Sequence, residues 1–484
     1  MLFLSAEADP LIKVGGLGDV AGSLPQVLMR LDRAAFGGRR PDVRLVLPFH
    51  PLVAERAQGL KPLVEFRLQR FRQEPLVRVL ETRLGDIPVY VIDGDLMPRE
   101  GPLYHEDATL DAEKFIFFSL AALELPAHLD WPVDIVQAND WHSAISVACL
   151  RRVRQEDPYL RSAHSLMVVH NLPYMGAGSE KALDEFGIGE SQESLLPAWA
   201  RHLPLPMGLA AADRIVTVSP SYAREILTKE FGCGLEAFLR SRREKLMGVL
   251  NGMDIDLWDP SKDASITARF TADNLETRAE NKASLVREFS LEGDSQTPLL
   301  AMVSRMDPQK GVDLALEALE QLRYFDWQAI LLGTGAPDLE EGARRLEKQT
   351  GGQLRAVTRV DPQLSHRLYA GADILLMPSR YEPCGISQMI AMRYGCVPVV
   401  RSTGGLKDTV IDATESGGTG FVFKKASADA LGLAIRRALK AWKDPILWRG
   451  LQRHGMARDF SWRESARSYA KLYAELIAEN TEGA

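Results

Sequence analysis

Arg305 and Lys310 stand five residues apart in Arg-Met-Asp-Pro-Gln-Lys-Gly, directly after an apolar run over 299–304 and before a segment of helical spacing over 312–322. Two cations at a strand end, beside the free N–H groups of a helix start, suit a diphosphate. A solvated basic pair is the other reading. Further on, the apolar runs 374–377 and 397–400 flank a helix-sized segment over 385–394, the pattern of a β-α-β unit in a parallel sheet. Glu382 lies on the loop between strand and helix. Ligands of doubly wound sheets bind at the carboxyl ends of strands, so its carboxylate is expected to face a cleft.

A third stretch is Lys13-Val-Gly-Gly-Leu-Gly-Asp-Val-Ala21. Gly15, Gly16 and Gly18 would bring backbone N–H groups close to a diphosphate, with Lys13 as a point charge and Asp19 beside it. The same residues fit the relaxed dinucleotide fingerprint G-x-G-x-x-A. That fingerprint follows its strand almost at once and needs an acidic residue closing the second strand. Here ten residues separate Leu4 from Gly15, and Asp42 precedes its strand, so a dehydrogenase fits badly.

Asp140, Trp141 and His142 end the run Ile135-Val-Gln-Ala-Asn. They offer a carboxylate and an imidazole to sugar hydroxyls and an aromatic face to a ring. A helix-capping Asp followed by a packed Trp accounts for them equally and is compatible with that role. His170 and Asn171 close another apolar run, 166–169. A lone buried histidine is more often a satisfied core residue than a ligand.

Strand-like runs at 2–5, 43–47, 89–92, 135–139, 166–169 and 214–218 alternate with helix-like segments, including 21–31 and 113–125 and those between 47 and 89. Ser219 ahead of Pro220 reads as a helix cap. Trp258-Asp-Pro and the polar 261–263 mark a hinge, after which the strand-helix rhythm resumes. The predicted fold is α/β, two Rossmann-like doubly wound domains facing across a cleft: 1–255, 256–460, and a last helical segment 461–484 crossing back to the first.

The 484 residues exceed one ordinary core. A net charge of −7 argues against a nucleic-acid partner. Cys149, Cys233, Cys384 and Cys396 form no C-x-x-C pair, so neither a disulfide framework nor a zinc site is expected. No basic leader, long apolar core or run of about 18 apolar residues is present. The reading is a cytoplasmic protein without a membrane partner; a processed plastid protein would look the same. Asp93-Gly-Asp95 and Asp254-Ile-Asp256 are D-x-D pairs outside the phosphate-binding loops, so no metal and no cofactor is expected.

Pro378-Ser-Arg-Tyr-Glu-Pro-Cys-Gly-Ile-Ser-Gln-Met-Ile-Ala-Met-Arg-Tyr-Gly395, followed by Thr403-Gly-Gly-Leu-Lys-Asp-Thr-Val410, closely resembles the nucleotide-sugar end of bacterial glycogen synthases and plant starch synthases, retaining glycosyltransferases of the GT-B fold. The Lys13 stretch matches their N-terminal signature, and Asp140-Trp-His, His170-Asn-Leu-Pro-Tyr, Leu250-Asn-Gly-Met-Asp and Ser304-Arg-x-x-x-Gln-Lys-Gly match further motifs. The resemblance implies transfer of glucose from ADP-glucose to the non-reducing 4-hydroxyl of an α-1,4-glucan, with retention. It makes Glu382, Arg305, Lys310 and His170 catalytic. Lys13, Gly15, Gly16, Gly18, Asp19, Asp140, Trp141, His142, Asn171, Asn251, Cys384, Gly385, Thr403, Gly404 and Gly405 become substrate-binding.

A front-face path and a covalent glycosyl-enzyme both remain open. The departures are Met175 in place of a glutamine, Leu205-Pro-Met-Gly208 in place of a lysine-glycine pair, and Val360 and Met97 where aromatics are common. They fall at the base pocket and acceptor surface. A related enzyme with another base or a small acceptor is therefore a second hypothesis, and a catalytically silent glucan-binding protein a third.

Overall fold

The computed structural model describes residues 1–293 and 296–482. Residues 294–295, within the expected second domain, and 483–484, at the end of the expected last segment, lie outside them. The chain divides into two compact units, Met1–Gly252 with Trp462–Ala484, and Met253–Ser461.

In the first unit the strands are β1 (Leu2–Leu4), β2 (Arg44–Pro48), β3 (Lys61–Arg67), β4 (Leu76–Leu84), β5 (Ile87–Gly94), β6 (Ile135–Asn139), β7 (His164–Val169), β8 (Arg214–Thr217) and β9 (Leu246–Gly248). Their order is β3-β4-β5-β2-β1-β6-β7-β8-β9. Leu2 and Leu4 enter one apolar layer with Phe115 and Ile116; Phe3 enters the opposite layer with Val20 and Leu24. Both faces are covered, which is why the parallel strands read as unbroken apolar runs.

Between 47 and 89 the expectation of helix-like segments fails. After one short helix, Pro51–Arg56, β3, β4 and β5 run antiparallel. In β4 buried Val77 and Val79 alternate with more exposed neighbours, a period of two that belongs to a sheet edge. Gly85, at φ 58°, opens the tight turn between Leu84 and Ile87. The first helix, Gly16–Arg30, also begins earlier than its apolar spacing predicts, with Gly15 as its N-cap.

The last helix, Trp462–Glu482, belongs to this unit. Trp462, Ala466, Tyr469, Tyr473 and Leu476 join the layer that holds Phe3, and Tyr473 Oη donates to Gln137 Oε1 at 2.6 Å.

The second unit contains β10 (Leu299–Val303), β11 (Gln328–Leu332), β12 (Leu354–Val357), β13 (Ile374–Met377), β14 (Val397–Arg401) and β15 (Phe421–Phe423), in the order β12-β11-β10-β13-β14-β15. All pairs are parallel. Its core gathers Leu300, Met302, Leu376, Val399 and Trp327.

Strand order fixes where ligands can enter. In the first unit the chain winds from β1 to β2 on one side and returns beside β1 as β6. In the second it winds from β10 through β11 and β12 and returns beside β10 as β13. Each reversal opens a crevice at the strand carboxyl ends. The loops flanking these crevices carry Lys13 and Asp140 in one unit, and Arg305, Lys310 and Glu382 in the other.

Candidate active site

The loop after β1 folds around a buried carboxylate. Glu7, 3 % exposed, accepts the N–H groups of Val14 and Gly15 on Oε2 at 2.6 and 2.8 Å, and the Tyr104 hydroxyl on Oε1 at 2.6 Å. The Gly15 N–H is thus committed to Glu7, and that of Gly18 to the Gly15 carbonyl at 3.2 Å; neither is left to meet a phosphate. A Cβ on Gly18 would stand 3.0 Å from Lys13 Cγ, whereas one on Gly16 would meet nothing within 4 Å. Gly18 makes room for the lysine stem, and Gly16 borders open space.

Lys13 Nζ lies 2.5 Å from Asp19 and 3.4 Å from Asp9. Burial works against the ammonium, but the two carboxylates outweigh it and raise its pKa. Burial raises that of Asp19 against the pull of Lys13. Asp19 therefore holds the lysine.

Asp140 follows β6 at φ 54° and ψ −173°, a conformation that costs a non-glycine residue on the order of 1–3 kcal/mol. Its carboxylate repays this locally by accepting the N–H groups of His170 at 2.7 Å and Asn171 at 3.3 Å, tying the β6 loop to the β7 loop. Burial pushes its pKa up to about 7, with those N–H groups acting in the opposite direction.

His170 has a determined tautomer. The Asn139 amide nitrogen donates to the Leu4 carbonyl at 2.8 Å, so its oxygen is the atom facing His170 Nε2 at 3.0 Å. Nε2 carries the proton and Nδ1 is an acceptor. Burial lowers the His170 pKa to about 3, so the ring is neutral at working pH. His142 is buried, its pKa brought well below the usual value by burial, then by Lys114 and His170. Its ring lies 5.0 Å from that of Tyr104, and Trp141 meets Phe115 edge-on at 5.1 Å and 80°. His142 Nδ1, Asn171 Oδ1 and Asn251 Oδ1 are buried without a hydrogen-bond partner. A buried polar atom without a partner calls for an explanation such as an ordered water or a ligand.

In the second unit Glu382 is 5 % exposed. Lys310 Nζ donates to both its carboxylate oxygens, at 2.9 and 2.7 Å, and Ser379 Oγ donates at 2.9 Å. An unpaired buried carboxylate is costly, and Lys310 and Ser379 supply its partners. Arg305 is the more exposed cation, paired with Asp307 at 3.1 Å. Asp307 also caps the short helical turn by accepting the Lys310 N–H at 3.0 Å.

Cys384, Gly385, Thr403, Gly404 and Gly405 shape the backbone around Glu382. Cys384 and Thr403 are buried, Thr403 as the N-cap residue of Gly404–Thr409. A Cβ on Gly404 would lie 1.9 Å from the Glu382 carbonyl oxygen, and one on Gly405 2.0 Å from that of Cys384. Gly385 turns at φ 71°, its missing Cβ 2.5 Å from Gln388 Oε1. The Gly405 N–H donates to the Glu382 carbonyl at 3.1 Å, and the Gln388 amide nitrogen donates to the carbonyls of Cys384 and Gly385 at 3.2 and 2.9 Å, so the backbone here is tied to the Glu382 loop.

Both D-x-D pairs have structural work. Asp93 pairs with Arg99 at 2.9 Å, and Asp254 accepts the N–H groups of Asp256 and Leu257. Among the described residues no three His, Cys, Asp or Glu side chains are grouped so as to hold a metal ion, and no helix is long and apolar enough to cross a membrane. All four cysteines are unbridged. Sequence reasoning missed Glu7 and Asn139. Their signal was present: both are polar residues where buried strands run out, at the crevice end.

Two Rossmann-like units with charged loops at their reversal points match a GT-B glycosyltransferase. The fold aligns with the catalytic domain of starch synthase IV from Arabidopsis thaliana, solved with ADP and acarbose, at a TM-score of 0.88 and 31 % identity over 99 % of both chains. Residues 1–241 match the family described as starch synthase catalytic domain, and 287–448 the glycosyl transferases group 1. The chain is 41 % identical over 485 residues to a glycogen synthase of Anaeromyxobacter sp. (strain Fw109-5), covering 99 % of both. It is 38 % identical over 495 residues to glycogen synthase 2 of Nitrosococcus oceani, covering 99 % and 98 %. The chain belongs to the glycogen and starch synthase family.

Proposed function

We propose that this enzyme transfers glucose from ADP-glucose to the non-reducing 4-hydroxyl of an α-1,4-glucan, with retention and without a metal ion. The observation that carries this reading is the contact of Lys310 with Glu382. When a glycosyl phosphate bond breaks, positive charge grows on the anomeric carbon and negative charge on the departing phosphate oxygen. A buried carboxylate 2.7 Å from an ammonium presents the complementary pair of charges. Arg305 adds a second cation for the β-phosphate. Losing one such group costs about 3 kcal/mol of transition-state stabilisation.

In the first unit Lys13 supplies a further cation, and Gly16 the space for a phosphate beside it. His170 Nδ1, Asn171 Oδ1 and Asn251 Oδ1 accept sugar hydroxyls. The acceptor 4-hydroxyl passes its proton to the leaving phosphate on the same face of the ring, because neutral His170 with Nε2 engaged by Asn139 is held as a hydrogen-bond acceptor of low basicity. The setting is the cytoplasm.

The test is incorporation of labelled glucose from ADP-glucose into glycogen with EDTA present, for the unaltered chain and Glu382→Ala. Chelator-insensitive transfer that falls at least about 100-fold in the folded variant supports the proposal. Absence of transfer to glycogen by the unaltered chain would overturn it. A second reading, a different nucleotide base, is favoured by Val360, which is 77 % exposed where an aromatic is common in the family. Comparing ADP-, UDP- and GDP-glucose as donors separates the two.

A further inference from the structure

The contact between Lys310 and Glu382 spans two separate loops, those following β10 and β13. Neither loop can set the spacing alone. Arg380, two residues before Glu382, binds the opposite loop through main chain and side chain together. Its N–H donates to the Gln309 carbonyl at 2.8 Å. Its guanidinium donates from Nη1 to the Pro308 carbonyl at 2.7 Å and to Asp313 Oδ1 at 2.8 Å, and from Nη2 to Asp313 Oδ2 at 2.6 Å. Its own carbonyl accepts from Arg401 Nη1. Asp313 lies in the first turn of the Val312–Gln321 helix, so the tether ends on a rigid element.

Pro308 and Gln309 immediately precede Lys310, as Arg380 and Tyr381 precede Glu382. The tether thus grips each loop at the residues next to its charged group. Gly311 completes it: a Cβ there would stand 2.3 Å from the Pro378 carbonyl oxygen, so the two loops touch at backbone distance. The forked Arg380–Asp313 geometry fixes orientation as well as distance, which a lysine ammonium cannot do. The two partners respond as a bonded pair, the Asp313 pKa lowered first by the hydrogen bond from Arg380 and that of Arg380 raised first by the bond to Asp313.

We propose that Arg380 and Asp313 are positioning residues for glycosyl transfer: their bidentate bond holds the Glu382 loop against the Lys310 loop and sets the geometry of the charge pair. Neither touches substrate in this role. The inference rests on the reading of Lys310 and Glu382 as the groups that stabilise the breaking bond. It accounts for a cation and an anion, 67 residues apart in sequence, that the chemistry does not otherwise use.

The experiment compares the unaltered chain with Arg380→Lys, Arg380→Ala, Asp313→Ala and the double variant Arg380→Lys with Asp313→Ala, measuring kcat, donor KM, unfolding temperature and hydrogen exchange of the 305–311 and 379–386 segments. A misplacement of about 1 Å costs on the order of 100-fold in rate. Each single variant is expected to lose about 30- to 100-fold in kcat, with donor KM within about threefold and unfolding temperature within a few degrees. The double variant is expected to be no worse than the poorer single one. Asp313→Ala should speed exchange in 379–386, a segment to which residue 313 is not chain-adjacent, and free guanidinium should restore part of the activity of Arg380→Ala. Unchanged kcat in Arg380→Lys, or a loss matched by a fall in folded protein, would overturn the proposal. If the unaltered chain transferred no sugar, the functional reading would fall and the catalytic role with it, while the exchange data would still judge the tether.

Discussion

Asp140 shows how one side chain can serve several demands. Its backbone is strained, its carboxylate joins two strand ends, and burial holds its pKa near 7 against an ordinary value of 3.8. Because the folded state binds this proton more tightly than the unfolded chain, its stabilising share is fully present below about pH 4 and is lost as pH rises through 7. The shift corresponds to on the order of 4 kcal/mol. Asp140→Asn keeps an oxygen acceptor for the N–H groups of His170 and Asn171 and removes the titration. It is expected to match the unaltered protein in unfolding temperature at pH 4 and to exceed it at pH 8, as thermal denaturation across that range would show. Burial lowers the His170 pKa to about 3, so no limb in the kcat/KM profile between pH 5 and 9 is expected from it. His170→Ala should lower kcat and leave the positions of the limbs where they were.

At the level of elements, the loops hold chemistry because neighbouring backbones press against them. Gly404 and Gly16 make a sharp contrast. A Cβ at Gly404 would stand 1.9 Å from the Glu382 carbonyl, at φ 43°, so Gly404→Ala must push the Glu382 loop aside. Kinetics of the folded variant are expected to show about a 100-fold fall in kcat. At Gly16 nothing lies within 4 Å, and alanine favours the helix that starts there by about 0.5–1 kcal/mol. Gly16→Ala should unfold at the same or a slightly higher temperature, while donor KM rises if that space receives phosphate. The two outcomes together separate a glycine kept for packing from one kept for a ligand.

At the scale of the whole molecule, each unit owns a core, but the first is completed by the end of the chain. Trp462, Tyr469, Tyr473 and Leu476 are all buried in it. At about 1.5–3 kcal/mol per large side chain, losing these four removes roughly 6–12 kcal/mol, comparable with the 5–15 kcal/mol that holds a typical domain folded. A chain ending before Trp462 is expected to aggregate or lack a cooperative transition for the first unit in calorimetry. The fragment 253–461, which carries its own six-stranded sheet and core, is expected to unfold cooperatively alone. It should show no sugar transfer, since Lys13 and His170 are absent from it.

The sequence by itself determined the α/β class, most strands and the placing of charged residues on the loops that follow them, because buried parallel strands are unbroken apolar runs. Arg305, Lys310, Glu382 and Lys13 were legible for that reason. It misread 47–89, where an edge hairpin exposes one face and the apolar runs break up, and it placed the first helix several residues late, because glycines hide a helix start. Only the tertiary structure decided which groups meet. The pairing of Lys310 with Glu382 and the tautomer of His170 join residues brought together by strand order, and the capture of the Gly15 N–H by Glu7 joins the two ends of one irregular loop. Contacts of that kind leave no periodicity along the chain; the first two arise when the sheet sets distant loops side by side.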